Sequence, residues 1–222
     1  MFQLNTGILP PAQADLWPLL SSLPAHVVLY GGTAIALHLG HRESVDFDFF
    51  SSQPLDRTAK ETLLGLPCLS GLEILQDDID TLVFSIRRLG QPVRLAFFGA
   101  VTCGRIGTPL VPHGGGPRVA SLIDLFAHKL KVIHDRAEGK DYQDITAILT
   151  KGQLGLDQGM AAAEALFREH FSIAATLKAL VYFDDLNESW RVGEESKNIL
   201  LQAIKALPEE WPAATRAAET IV

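Results

Sequence analysis

Residues 26–50 constrain the fold more than any other part of the chain. His26-Val27-Val28-Leu29-Tyr30 is apolar, uncharged past His26 and rich in β-branched residues, which reads as a short buried strand. It ends abruptly at Gly31-Gly32. Residues 33–39 then have helical propensity up to a stop at Gly40. Asp46-Phe47-Asp48-Phe49-Phe50 alternates polar and apolar, the signature of a strand with one buried face. Residues two apart on a strand share a face. Phe47 and Phe49 therefore point to the core, Asp46 and Asp48 project together on the other side, and Phe50 returns to the aspartates' face as a candidate wall.

The rest of the chain divides unevenly. Residues 11–20 read as a first helix and 55–64 as another, the latter preceded by Pro54. Strands are expected at 73–76, 81–87 and 93–98, the last two joined by a hairpin at Gly90-Gln91. Residues 102–117 are rich in Gly and Pro and read as a loop with a short strand at 109–111. Ser121 is a good helix N-cap, with Asp124 placed where an acid suits a helix N-terminus. Gly139 is expected to break that helix and 141–149 to form the next. Residues 157–222 read as three or four helices broken near Ser172, near 187–193 and at Pro208. Strands first and helices later argue for an α+β fold. Residues 1–150 form one expected domain, and 151–222 a helical C-terminal region.

Two carboxylates side by side repel, and each raises the other's pKa unless a cation sits between them. Carboxylate oxygens suit magnesium, which commonly takes one or two of them together with substrate phosphates. The Gly31-Gly32 turn opens a helix, so free backbone N–H groups converge where a phosphate can approach closely. Thr33 can add its hydroxyl. Arg42, between the turn and the acids, can neutralise a triphosphate or hold the acidic strand end in place. Phosphoryl transfer needs positioning and charge neutralisation more than covalent chemistry, and the three features together meet that need.

Residues 29–50 resemble the first motif of the AbiEii/AbiGii nucleotidyltransferase family, toxin-type members of the DNA polymerase beta-like superfamily. The match is close at Gly31, Gly32, Thr33, Arg42, Ser44, Asp46 and Asp48. A second region, Leu122-Ile123-Asp124-Leu125-Phe126-Ala127-His128-Lys129-Leu130, then Arg136, then Lys140-Asp141-Tyr142-Gln143-Asp144, is similar to the family's later motifs. The resemblance covers residues 27–149. It implies a polymerase beta-like mixed sheet flanked by helices, and a metal-dependent nucleotidyl transfer from an NTP. Asp46 and Asp48 would hold Mg2+ or Mn2+, Lys129 would contact the phosphates and Asp144 would be the late acid of the site. Gly31, Gly32, Thr33, Arg42 and Ser44 would bind the nucleotide. The implied partners are an acceptor such as RNA (a tRNA end) or another macromolecule, and a cognate antitoxin. Within the second region, Lys129 and Arg136 are seven apart and are expected to share a helix face, as are Asp141 and Asp144.

One departure concerns the third carboxylate that many members of the superfamily carry on a later strand. The corresponding face here shows Arg94 and Ala96. That motivates an alternative, a nucleotide-binding or interaction module with little catalysis. The net charge of −7 mildly disfavours a large nucleic-acid footprint and keeps a small-molecule acceptor, such as an antibiotic, in view. Other features have plainer readings. Cys68 and Cys103 have no metal-binding spacing and are expected to be free thiols. His38 and His41 are too few for a metal site, and His128 and His134 are expected to be partly exposed. Gly114-Gly115-Gly116 lacks the Lys-Ser/Thr of a P-loop. Asp184-Asp185 is expected at a helix end or loop. No apolar run reaches membrane-spanning length and no signal peptide is visible, so the cytoplasm is the expected compartment.

Overall fold

A computed structural model describes residues 4–136, 138–183 and 192–222. Asp184-Asp185 and most of the break expected at 187–193 lie outside the described residues. The mixed sheet flanked by helices expected from the sequence is present. Six strands are arranged in the order β3-β4-β5-β2-β1-β6. They span Val28–Tyr30 (β1), Asp46–Phe50 (β2), Glu73–Asp78 (β3), Thr81–Arg88 (β4), Gln91–Phe98 (β5) and Arg118–Val119 (β6). β2 pairs antiparallel with β1 and parallel with β5, which places the alternating Asp-Phe strand at the centre of the sheet.

The two faces of the sheet do different work. On one, Phe47, Phe49 and Phe97 stack at centroid spacings of 4.9 and 6.2 Å, and Phe84 continues the stack at 5.5 Å from Phe97. Helix α1 (Pro11–Leu16) and the 3-10 turn Trp17–Ser22 cover this face, with Trp17 against Phe47. The sequence reading of one helix over 11–20 is corrected here. Pro18 has no N–H and its ring crowds the preceding turn, so the α-helix ends at Leu16 and a 3-10 turn takes over. The opposite face of β2 carries Asp46, Asp48 and Phe50, and opens toward the helix over Leu122–Asp135.

Helix α2 (Gly31–Leu39) begins two residues earlier than the sequence suggests and stops at Gly40, whose φ of 59° is left-handed. Helix α3 (Arg57–Leu64) is capped by Asp56, which accepts from the Ala59 N–H at 2.9 Å. The hairpin between β4 and β5 turns on Leu89-Gly90, not Gly90-Gln91. Both have positive φ, 48° and 77°, as a two-residue type I′ turn requires, and Gln91 already pairs with Arg88. The strand expected at 109–111 reduces to a single bridge between Leu110 and Val119.

Helix α4 (Leu122–Asp135) starts at the Ser121 cap. Asp124 does more than favour the helix N-terminus. It is buried and accepts hydrogen bonds from the Ile106 and Gly107 N–H groups at 2.6 and 3.1 Å, fastening the glycine-rich loop to α4. Two expectations fail at the other end. α4 stops at Asp135, and Gly139 is the first residue of α5 (Gly139–Thr150), not a breaker of α4. Arg136 has extended backbone, φ −155° and ψ 149°, so it does not share a helical face with Lys129.

Helices α6 (Leu156–Phe167), α7 (Ile173–Val181) and α8 (Glu194–Lys205) follow. They join one continuous apolar core with α4 and α5, and Ile221 near the C-terminus is fully buried in it. No described helix is long and apolar enough to cross a membrane. α6 approaches α4 closely at Gly159, where an added Cβ would meet the Phe126 ring at 2.6 Å. Two effects compete in Gly159→Ala. Helix propensity gains about 1 kcal/mol, while overpacking against a buried ring loses about 1–3 kcal/mol. Because Phe126 is fully buried and cannot swing away, overpacking should win. Urea unfolding is expected to show the variant less stable than wild type.

Candidate active site

The acid pair is set by strand alternation and a missing side chain. Phe47 and Phe49 are fully buried, which turns Asp46 and Asp48 to the open face. Gly31 is required here twice over. Its φ is +72°, and a Cβ on it would lie 2.6 Å from Asp48 Oδ2. Any other residue would be strained and would displace the carboxylate. Burial, and then the neighbouring Asp46 charge, push the Asp48 carboxyl above the usual carboxylate range, against the opposing pull of Arg94 and Lys129. Two oxygen-donor side chains that repel one another and sit on an accessible face suit a hard divalent cation in donor type and in charge. Among the described residues no cluster of three or more His, Cys, Asp or Glu groups is arranged to hold a metal. The register agrees: Asp46 lies beside Arg94 and Asp48 beside Ala96, so the adjacent strand contributes no third acid.

Behind the pair, Asp144 gathers the positive groups. It is fully buried. It accepts from Arg42 Nε at 2.7 Å and Nη2 at 3.0 Å, and lies 2.7 Å from His41 Nε2 and 2.9 Å from Lys129 Nζ. Burial alone would raise its pKa, but the His41 and Arg42 hydrogen bonds and the Lys129 and Arg42 charges hold it well below the usual carboxylate range. Lys129 also pairs with the buried Asp141 at 2.7 Å. Asp141 and Asp144 thus share a face of α5, as expected, and that face is turned inward onto Lys129. The bidentate grip fixes the Arg42 guanidinium directly over Gly32, where a Cβ would collide with Nη2.

Thr33 is likewise structural in its contacts. It is buried, its hydroxyl donates to the Asp46 main-chain carbonyl, and it sits 2.8 Å from the Ser44 hydroxyl. This ties the first turn of α2 to the start of β2. The N-cap, Tyr30, makes no side-chain capping hydrogen bond, and the first N–H groups of a helix have no intrahelical partners.

These parts surround a cavity of about 460 Å³ between the sheet face and α4. Gly31, Gly32, Arg42, Ser44, Asp46, Asp48 and Lys129 line it, whereas Thr33 and Asp144 lie behind its wall. Residues not singled out as site members from the sequence also take part. Lys140 and Arg136 line the cavity and pair with Glu138 at its rim. His41 pairs with Asp144, a role that carries no local sequence signal because 103 residues separate the two. The far end of the cavity is aromatic. Phe50 stacks on Tyr30 at 4.8 Å, and His128 tilts against both. Burial lowers the His128 pKa to about 4, so the ring is neutral near pH 7. His38 is buried, with Nε2 2.8 Å from the Ala120 carbonyl, and does not join His41. Cys68 and Cys103 are free thiols.

With this geometry established, the relatives of the chain can be placed. The family described as nucleotidyl transferase AbiEii toxin, of type IV toxin–antitoxin systems, matches residues 19–66 and 108–214, well over half of the chain. The unmatched interval contains β3, β4 and β5. An uncharacterised protein of Aquifex aeolicus (strain VF5) is 28% identical over 162 residues, 72% of this chain and 75% of that protein. In fold, the chain is similar to MenT4, a nucleotidyltransferase toxin from Mycobacterium tuberculosis H37Rv. The TM-score is 0.59 at 15% identity, covering 89% of this chain and 83% of MenT4. It is also similar to a candidate nucleotidyltransferase from H. pylori, with a TM-score of 0.56 at 18% identity, covering 87% and 90% of the two chains. On the extent of the family match and the motif residues within it, the chain belongs to the AbiEii family of nucleotidyltransferase toxins.

Proposed function

We propose that the chain transfers a nucleotidyl group from an NTP to an acceptor hydroxyl in a cation-dependent reaction. Asp46 and Asp48 would hold the Mg2+ or Mn2+. The observation that carries this reading is the meeting, in one cavity, of the same-face acid pair, the uncapped start of α2 at Gly31-Gly32, and the Arg42–Lys129 cation set. A bound divalent cation would neutralise charge developing on the transferred phosphate. The chain's own residues do the rest. The α2 N–H groups and Ser44 bind phosphate oxygens, and Arg42, Lys129 and Lys140 offset the charge of the departing pyrophosphate. Thr33 and Asp144 are positioning residues, the first for β2 and the second for Arg42 and Lys129. An acceptor oxygen forms a bond to the α-phosphorus, the bond to the pyrophosphate oxygen breaks, and the hydroxyl proton passes to solvent. Ala96 and Arg94 stand where a third carboxylate would supply a base for that proton, which predicts a slow chemical step. The acceptor is a macromolecule such as a tRNA end, and the biological role is that of a cytoplasmic toxin held in check by an antitoxin.

The test is incubation with each α-labelled NTP, a divalent cation and total cellular RNA or protein. Label should appear on one acceptor pool, and Asp46→Asn and Asp48→Asn should each reduce transfer by about 100-fold or more. Nucleotide binding without transfer under every condition would favour a non-catalytic nucleotide-binding module. Label found only on an added small molecule such as an antibiotic would move the acceptor to that class.

Asp48 also makes a stability prediction. Its folded-state pKa is raised, so the ionised group destabilises the fold at pH values above that pKa. The penalty disappears as pH falls and the group protonates. Asp48→Asn is therefore expected to melt at a higher temperature than wild type at pH 8 without divalent cations, with the gap closing toward pH 4. A variant that melts lower at pH 8 contradicts this account of the pair.

A further inference from the structure

Phosphates and a cation account for only one end of the cavity. Along β2 the residues on the open face are Asp46, Asp48 and Phe50, and their neighbours on β5 are Arg94, Ala96 and Phe98. The sheet face thus passes from charged, through small, to aromatic, in rows about 7 Å apart. The opposite wall repeats the order. In α4, Leu125 and His128 come first, Lys129 and Val132 follow, and Arg136 lies just past the helix end. His128 tilts over Phe50 at 5.6 Å, whereas Lys129 reaches Asp144. Two independent elements therefore place aromatic surface at one end and charge at the other.

The aromatic end is built as a corner. Phe50 is held by its stack on the buried Tyr30, 12° from parallel, and Phe98 stands perpendicular to it at 5.5 Å and 88°. Both are partly exposed and both line the cavity. An NTP whose phosphates lie at Gly31-Gly32 and Arg42, with its α-phosphorus beside the acid pair, extends its nucleoside away from the β-phosphate. That direction leads to the row of Phe50 and Phe98.

We propose that the corner formed by Phe50, Phe98 and His128 seats the nucleobase of the NTP, and that these side chains determine which base is used. The proposal rests on the nucleotidyl-transfer reading above. A nucleobase offers a planar π face to an aromatic ring, and such stacking contributes about 1–3 kcal/mol per base. The neutral imidazole adds a wall without charge.

Binding of two probes to the full chain with Mg2+ tests the proposal: each of the four ribonucleoside triphosphates, and inorganic tripolyphosphate, which has no base. Phe50→Ala and Phe98→Ala should weaken binding of the preferred NTP by about 5- to 150-fold and leave tripolyphosphate affinity unchanged. Phe50→Tyr should bind as wild type, Phe50→Leu should not, and His128→Ala should change the ranking of the four nucleotides. Equal loss of both probes in Phe50→Ala would mean a purely structural role and overturn the proposal. So would unchanged NTP affinity with only the acceptor KM raised, since the corner would then belong to the acceptor. Wild type that binds nucleotide, with NTP affinity unchanged in Phe50→Ala and Phe98→Ala, overturns this proposal alone, whereas wild type that binds tripolyphosphate but no nucleotide overturns the transfer reading with it. Wild type that binds neither probe overturns the transfer reading as well.

Discussion

The buried Asp144 carboxylate is the interaction on which the cavity depends. A fully buried carboxylate is costly unless its charge is matched and its oxygens are hydrogen-bonded. Here Arg42, His41 and Lys129 supply both. Their convergence joins three separate pieces of chain: the loop after α2, the middle of α4 and the first turns of α5. The positive side of the cavity is therefore held by the same contacts that lock α5 onto the sheet and α4, so the cavity's shape and the stability of the fold draw on one network. The guanidinium held over Gly32 explains why that position has no side chain, as the Asp48 carboxylate explains Gly31. The two glycines are spacers that let two cavity side chains approach the backbone.

Opposite Asp144, the acid pair has the reverse electrostatic character. Asp48 sits where its charge is poorly compensated, and Asp144 where it is more than compensated. One carboxylate is left able to gain from a cation, and the other is already satisfied by side chains. That contrast separates the roles of residues that a sequence motif groups together as acids of the site. The α5 acids belong to the scaffold, and the β2 pair is the one left with uncompensated charge.

Much of the site was legible locally. Alternation over Asp46 to Phe50, the glycine break after Tyr30 and the stop at Gly40 each depend on a few adjacent residues, and each appears where the pattern puts it. What was not legible depends on contacts distant in sequence or on terminal geometry. Nothing near Asp144 announces that Arg42 and His41, over 100 residues earlier, will fill its hydrogen-bonding capacity. Helical spacing put Arg136 on the same face as Lys129, but the backbone leaves the helix at Asp135, a boundary with no Gly or Pro to mark it. The shift of the hairpin to Leu89-Gly90 had a similar cause, because a leucine with positive φ is not a turn signal. The aromatic end of the cavity needed the pairing of Phe50 with Phe98 across two strands that are not consecutive in the chain.

The most direct test of this account is the stability of Asp144→Asn measured by urea unfolding from pH 7 down to pH 3. The depressed folded-state pKa means that the ionised carboxylate stabilises the fold fully above its unfolded pKa of about 3.9, and loses that contribution as pH falls further toward the folded value. Removing its charge at pH 7 takes the carboxylate partner from Arg42 and leaves Lys129 with Asp141 alone. The account predicts a loss of about 3–5 kcal/mol there, with the difference from wild type shrinking below about pH 4. A variant as stable as wild type at pH 7, or a difference independent of pH down to 3, would contradict it.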